Sequence, residues 1–439
     1  MNLSEVNTYE SAVSYCMAVP RFTKKNNMES TRDFYEFLER PGTKSKIIHI
    51  AGTNGKGSVS AFLQSIFLKA EKTTGMFTSP HLCDIRERIR LNGEMLSDEE
   101  FLEAFLHIKN NLFSYWKEHP EKREYHPSYF ELLFFISMIY FEKTKPEFLI
   151  LETGLGGRLD ATNVIETPEV AVITNIGLDH TEVLGDTLEK IAETKAGIFK
   201  DNGHAVIYRG KPSVEAVFEH VCAQKNTILT KADFDSLNLT KHTLDGQVFD
   251  CGDRKDLVLP LLGDHQLHNA SVVLSVIDTL RKIGWKISED NIRDGLRDVR
   301  WPGRFDIVSR NPLFIIDGGH NPQCIEALVK NIEDYLKDRN VIAITGVLAD
   351  KDYADMYVPV MPYVSQFVCI TPPNPRKLES SELAKYLRTK GANALACDTI
   401  LDGVKTALDL AGNDGVVLCF GSLYSIGSIR DSLISLKNN

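Results

Sequence analysis

The chain has 439 residues, which at roughly 150 residues per domain implies two or three units with a cleft between them. A net charge of −10 and a pI near 5.7 argue against nucleic acid or an anionic membrane as the main partner. The eight cysteines include no C-x-x-C pair, Glu5 and Glu10 stand where a leader would be basic, and the longest apolar run, 132–140, is far short of about 20 residues. No zinc cage, disulfide framework or membrane span is expected, and the expected location is the cytoplasm.

Strand and helix patterns alternate along the chain, as an α/β fold with a largely parallel sheet requires. The apolar residues Ile47, Ile48 and Ile50 predict a buried strand, and the glycine-dense stretch after it, AGTNGKGS at 51–58, leads into a helix over 58–69. A strand at 74–77, helices at 98–115 and 128–141, strands at 148–151 and 170–174 and a helix at 187–199 follow. The polar stretch 236–256 reads as a hairpin insertion before a helix over 265–283. At 298–304 the run DVRWPGR suits a hinge, because Pro302 and Gly303 fall between a helix and a fresh set of strands. Strands at 313–316, 341–345, 366–370 and 416–420 then alternate with helices. The expected architecture is a P-loop-type, mostly parallel-sheet ATP-binding unit over 1–299 and a smaller Rossmann-like α/β unit over 300–439.

Several positions on this frame suit phosphate chemistry. Gly52, Gly55 and Gly57 let backbone N–H groups approach an anion, the helix start adds partial positive charge, and Lys56 adds a full one. The spacing departs from the common P-loop, since Thr53 and Asn54 alone separate Gly52 from Gly55. Glu152 ends an apolar strand, where a nucleotide site holds Mg²⁺, and a run too glycine-rich for packing, TGLGGRLDATN, follows it. Asp179 and His180 follow a neighbouring strand at its carboxyl end, where open α/β sheets bind ligands, and His180 is a candidate metal ligand. Lys195, in TLEKIAETKAGIF, reads by default as a surface lysine. In the second unit, FIIDGGHNP places Asp317 at a strand end and His320 at the entry to a helix.

Taken together, AGTNGKGS, TSPHL (78–82), RERI (86–89), LETGLGGRLDATN (151–163), TNIGLDHTEVLG (174–185), ETKAGIFK (193–200), GDHQLHNA (263–270), PGRF (302–305), DGGHNP (317–322), GVLADKD (346–352) and GSLY (421–424) span nearly the whole chain. In order and spacing they resemble the folylpolyglutamate synthase and dihydrofolate synthase family, a branch of the ATP-dependent Mur ligase superfamily. The resemblance implies that a folate or dihydropteroate carboxylate attacks the γ-phosphate of ATP and that L-glutamate captures the acyl phosphate. It implies that Asn54, Gly55, Lys56, Gly57 and Ser58 hold the phosphates and that Ser79, Glu152 and His180 hold Mg²⁺, with two ions in all. By the same resemblance Lys195 is carbamylated, Asn269 contacts adenine, Arg304 a phosphate and Asp317 the ribose, and His320 lies close to the reacting phosphate. Ser128, Tyr129, Asp160 and Ala161 align with the positions that bind the pterin-bearing substrate, and a monomer is expected. Gly319 stands where the family usually has alanine, and Ser128 where threonine is common. Two rivals are a ligase for UDP-linked muramoyl peptides, disfavoured because only 51 residues precede Gly52, and a nucleotide-switched binding module without ligase activity.

Overall fold

The apolar run after Lys46 forms β1 (Lys46–Ala51), buried at every position beyond Lys46, as a strand covered on both faces requires. The computed structural model describes residues 2–19, 26–350 and 353–438; Lys351 and Asp352, which end the GVLADKD motif, lie outside the described residues. β1 is joined in one sheet by β2 (Thr74–Phe77), β3 (Ile89–Leu91), β4 (Glu94–Met95), β5 (Phe148–Glu152), β6 (Val170–Ile173), β7 (His204–Ile207) and β8 (Ile228–Lys231). Their order is β4-β3-β2-β5-β1-β6-β7-β8, parallel except at the β2/β3 and β3/β4 pairings. β5 and β6 come later in the chain than β1 yet flank it on opposite sides. Crossovers therefore diverge from the carboxyl end of β1 and leave a crevice there.

Helices cover both faces of this sheet. On one side Asp98–Glu118 and Tyr129–Thr144 build an aromatic core that includes Phe101, Phe105, Phe134 and Phe135. On the other, Lys56–Lys69, Asp264–Lys282 and Glu289–Asp298 pack Val59, Phe62, Val272 and Leu296 against Ile48, Ile150 and Val172.

The expected hairpin insertion is instead a three-stranded antiparallel meander of β9 (Asn238–Thr243), β10 (Gly246–Cys251) and β11 (Arg254–Leu259). The third strand exists because Phe249, Leu257 and Leu259 point to one face and join the core beneath them, which a two-stranded ribbon could not cover.

The last sheet takes β12 (Asp306–Arg310), β13 (Leu313–Ile316), β14 (Val341–Thr345), β15 (Gln366–Cys369), β16 (Ala394–Ala396) and β17 (Val416–Phe420) in the order β12-β13-β17-β14-β15-β16. It is parallel apart from the antiparallel edge strand β12. The carboxyl end of β13 faces the crevice at β1, so the ends of two sheets bound one cleft.

Candidate active site

The loop after β1 is shaped by its glycines and braced from the segment that follows β6. Gly55 has φ of 91° and caps the helix Lys56–Lys69 without any side chain to occupy the first amides, which leaves them for an anion. A β-carbon on Gly55 would stand 2.6 Å from Asn269 Oδ1, so this position also needs glycine for the close approach. Thr53 N–H donates to the Asn175 carbonyl at 2.7 Å, and Thr53 Oγ1 both donates to the Gly177 carbonyl and accepts from the Gly177 amide at 3.1 Å. The indole of Trp301 lies against Gly57, 2.9 Å from where a β-carbon would be, so the 298–304 connection is packed onto the loop's helix.

Two lysines and one carboxylate lie beneath the loop. Lys56 Nζ donates to the carbonyls of Gly52 and Thr53 at 3.0 and 3.2 Å and stands 3.9 Å from Glu152 Oε1. Lys195 is not at the surface. It is 3% exposed and donates to the Gly52 carbonyl at 2.8 Å, because the helix Leu188–Ala196 is pressed onto the loop after β5, with Arg158 N–H donating to the Thr194 carbonyl. Burial, reinforced by the charge of Lys56, pulls its pKa down to about 7. Glu152 is buried at the end of β5 and accepts from the Ser79 amide at 3.3 Å; burial pushes its pKa up to about 7, against the pull of Lys56. His180, with φ of 50°, follows β6 and lines the cleft with its ring partly exposed, 3.9 Å from Asp179 Oδ1.

The second unit brings Asp317, at the end of β13, into the same cleft. Its carboxylate accepts from the amides of Phe305 at 2.9 Å and Gly319 at 2.7 Å; burial raises its pKa, opposed by the Arg304 guanidinium. His320 Nδ1 lies 2.8 Å from the Gly318 carbonyl. Asn269 Nδ2 donates to Gln266 Oε1 at 3.1 Å.

One cavity of about 520 Å³ thus collects Asn54 to Ser58, Ser79, Glu152, His180, Lys195, Asn269, Arg304, Asp317 and His320. Ser128, Tyr129, Asp160 and Ala161 do not line it. Ser128 caps the helix Tyr129–Thr144, in a reciprocal pair with Glu131. Tyr129 is buried under the Arg88 guanidinium, 5.6 Å from its ring centre. Asp160 is committed to its own loop, accepting from the amides of Gly154, Leu155 and Thr162 and from Thr162 Oγ1. Ala161 is buried beside it. Thr53, Asn175, Gln323 and Cys324 were missed as cleft residues; Thr53 and Asn175 lie inside quoted motifs and Gln323 directly follows one, but their side chains carry no mark of chemistry in one dimension.

Comparison with known proteins identifies both halves of the cleft. A Mur ligase middle domain matches residues 50–277, and a Mur ligase glutamate ligase domain matches residues 303–423. The dihydrofolate synthase/folylpolyglutamate synthase of Bacillus subtilis is 32% identical over 97% of this chain and 99% of its own. The chain belongs to the folylpolyglutamate synthase and dihydrofolate synthase family of the Mur ligase superfamily. Membership makes it an ATP-dependent ligase of the folate branch, which removes the reading as a binding module. The enzyme of the same name from Escherichia coli is 32% identical over 88% of this chain and 86% of its own. Among solved structures, E. coli FolC in complex with DHPP and ADP superposes with a TM-score of 0.85 at 29% identity, covering 98% of this chain and 99% of that one. The Yersinia pestis bifunctional enzyme complexed with AMPPNP and a Mn ion gives 0.83 at 28%, covering 97% and 98%. Among the described residues no helix is long and apolar enough to cross a membrane.

Proposed function

We propose that this ligase joins L-glutamate to the carboxylate of a folate-type acceptor, dihydropteroate or a reduced folate, with cleavage of ATP, as a monomer in the cytoplasm. The observation that carries this reading is the single cleft into which one sheet sends a glycine-shaped anion loop, Lys56, Glu152 and Lys195, and the other sends Arg304, Asp317 and His320. We take the two halves as units 1–299 and 300–439, since the first two sheets precede that division and the third follows it.

An acceptor carboxylate oxygen attacks the γ-phosphorus, ADP departs with the bond electrons, and an acyl phosphate remains. The free amine of glutamate then attacks the acyl carbon; phosphate leaves, the amide forms and the amine gives up a proton. Two of the three N–H donors of Lys56 are taken by loop carbonyls, which leaves one for an oxygen of the transferring phosphoryl group. Amides at the helix start hold the phosphates, Asn269 and Asp317 hold adenine and ribose, and Arg304 and His320 face the phosphates from across the cleft. Ser128, Tyr129, Asp160 and Ala161, outside that cavity, are the positions proposed to bind the pterin-bearing substrate.

The residues present fit a divalent cation. Glu152 is a buried carboxylate with one amide at 3.3 Å and one ammonium at 3.9 Å, a thin shell for an anion out of water. Among the described residues no three His, Cys, Asp or Glu side chains form a ready cage, so Ser79, Glu152 and His180 would hold Mg²⁺ with nucleotide oxygens and water completing the shell. When bound, Mg²⁺ neutralises charge on the triphosphate. Lys195, un-ionised in part at neutral pH, is suited to add carbon dioxide at Nζ with loss of a proton, and the resulting carbamate would support a second ion.

The test is ADP release with MgATP and L-glutamate, offering dihydropteroate, tetrahydrofolate or a UDP-linked muramoyl peptide. Turnover with either or both of the first two is expected and assigns one or both activities. Turnover with the muramoyl peptide alone would overturn the folate reading.

A further inference from the structure

A set of contacts from the start of the helix Pro322–Tyr335 crosses the cleft to the phosphate loop, and none of the roles above uses it. Asn54 Nδ2 donates to Gln323 Oε1 at 3.0 Å, and Gln323 Nε2 donates to the Ile176 carbonyl at 3.4 Å. Asn321 Nδ2 donates to Asn54 Oδ1 at 3.0 Å and to Asp179 Oδ2 at 3.4 Å, while Cys324 Sγ donates to Asn54 Oδ1 at 3.4 Å.

A carboxamide can be turned end for end, but here backbone groups at both ends of the chain of bonds decide the direction. Asn321 caps its helix by accepting from the Cys324 amide at 3.0 Å, so its Nδ2 must face Asn54. Asn54 therefore meets Asn321 with Oδ1 and Gln323 with Nδ2. Gln323 answers with Oε1 and is left with Nε2 for the carbonyl of Ile176. Reversing any one amide would set donor against donor or acceptor against acceptor. Ile176 belongs to the segment that braces Thr53, so the one glutamine amide touches both the phosphate loop and its brace. The approach is close: a β-carbon on Gly177 would stand 1.8 Å from Gln323 Oε1.

We infer that Gln323 is a positioning residue: with Asn321 it latches the C-terminal unit onto Asn54, so that the phosphate loop is held in its reactive shape when the cleft is closed. This rests on the reading of residues 54–58 as the nucleotide loop. Gln323 acts through Asn54 and its brace rather than on the reacting atoms. Its contribution therefore belongs to the closed complex more than to the first capture of nucleotide.

Two substitutions attack the latch from opposite sides of the cleft. Gln323→Glu keeps the size of the side chain but puts an acceptor against the Ile176 carbonyl. Gly177→Ala displaces the Gln323 amide from a position whose own backbone is not left-handed. The readouts are kcat and acceptor KM from ADP release, the Kd of MgADP by calorimetry without acceptor, and the melting temperature. Each variant should lower kcat by about tenfold or more, with the Kd of MgADP changed by less than about threefold. The double variant should be no worse than the more damaging single one, since both remove one interaction. The latch is overturned by near-normal kcat in both variants, by losses that multiply in the double variant, by MgADP affinity falling as far as kcat, or by losses that merely track melting temperature. Failure of the wild-type protein to bind MgADP at all would instead overturn the nucleotide-loop reading, and the latch with it.

Discussion

Lys56 and Lys195 donate to the same acceptor, the carbonyl oxygen of Gly52, at 3.0 and 2.8 Å. Two ammonium groups converging on one carbonyl repel each other, and the more buried of them releases its proton more readily. Under the proposed function Lys56 is the lysine that faces the phosphates, and burial prepares Lys195 to be an amine.

Replacing the cation should stop the chemistry. Lys56→Ala is expected to lower kcat by at least about 10²-fold, since it removes a donor aimed at developing charge on the phosphoryl group. Steady-state ADP release checks this, and near-normal turnover would remove Lys56 from the assigned role.

Replacing the amine tests carbamylation separately. In protein equilibrated with ¹³C-bicarbonate, a carbamate resonance is expected in the wild type and absent from Lys195→Arg. Lys195→Ala should lose activity that added formate or acetate partly restores. The folded protein releases this proton near pH 7 and the unfolded chain near the ordinary 10.5, so between these values the unfolded state binds more protons. Stability attributable to Lys195 therefore rises with pH across that window, and Lys195→Met should flatten the rise in a series of urea titrations. Full activity without a carbamate signal would contradict the proposal.

The sign is opposite for Glu152. Its folded pKa of about 7 lies above the ordinary 4.5, so its stabilising share is fully present below pH 4.5 and is lost as pH rises to about 7. Glu152→Gln should leave the ligand-free protein as stable as wild type, or more so, at pH 8. The same substitution should abolish the extra rise in melting temperature that Mg²⁺ adds to nucleotide alone. A Mg²⁺-dependent shift preserved in the variant would take Glu152 out of the metal site.

Asp160 should behave as a structural residue first. Its carboxylate gathers three amides and one hydroxyl into the loop after β5, and Asp160→Ala leaves those donors buried without it. A loss of about 2–3 kcal/mol in urea denaturation is expected, along with a rise in acceptor KM as the loop loosens. A rise in KM with no loss of stability would favour direct substrate contact.

Gly55→Ala combines a left-handed backbone, worth about 1–2 kcal/mol of strain, with a collision against Asn269 Oδ1. Weaker MgADP binding with a nearly unchanged far-ultraviolet spectrum is the expected outcome. Unchanged nucleotide affinity would mean that the loop does not hold the phosphates in this shape.

The elements that could be read in one dimension were those whose burial leaves a local mark. β1, β5, β14 and β17 are near-continuous apolar runs, because a parallel strand covered on both faces has no solvent side, and the glycine loop after β1 carries its own chemistry. The chain alternates strand and helix so regularly that the α/β class and two sheets followed from order alone. β3, β4, β8, β12 and β16 were missed, being short or edge strands that keep polar faces; β7 was missed although it is internal and buried, since four residues are too few to show a pattern; and β11 was missed because the expected hairpin insertion, 236–256, ended inside it.

Tertiary packing decided the rest. Nothing in TLEKIAETKAGIF distinguishes the buried Lys195 from the exposed Lys190. Lys195 is buried because Gly157 offers no β-carbon, letting the loop after β5 lie directly on the helix backbone: one there would stand 2.6 Å from the Lys195 carbonyl. The pairing of Asn54 with Gln323 is equally invisible in sequence, since 269 residues separate them and an amide shows no preference until a particular donor and acceptor are brought to it. Patterning sets which segments must leave water. Which of the hidden polar groups then meet, and so which become reactive, depends on distances that exist only after the sheets have packed.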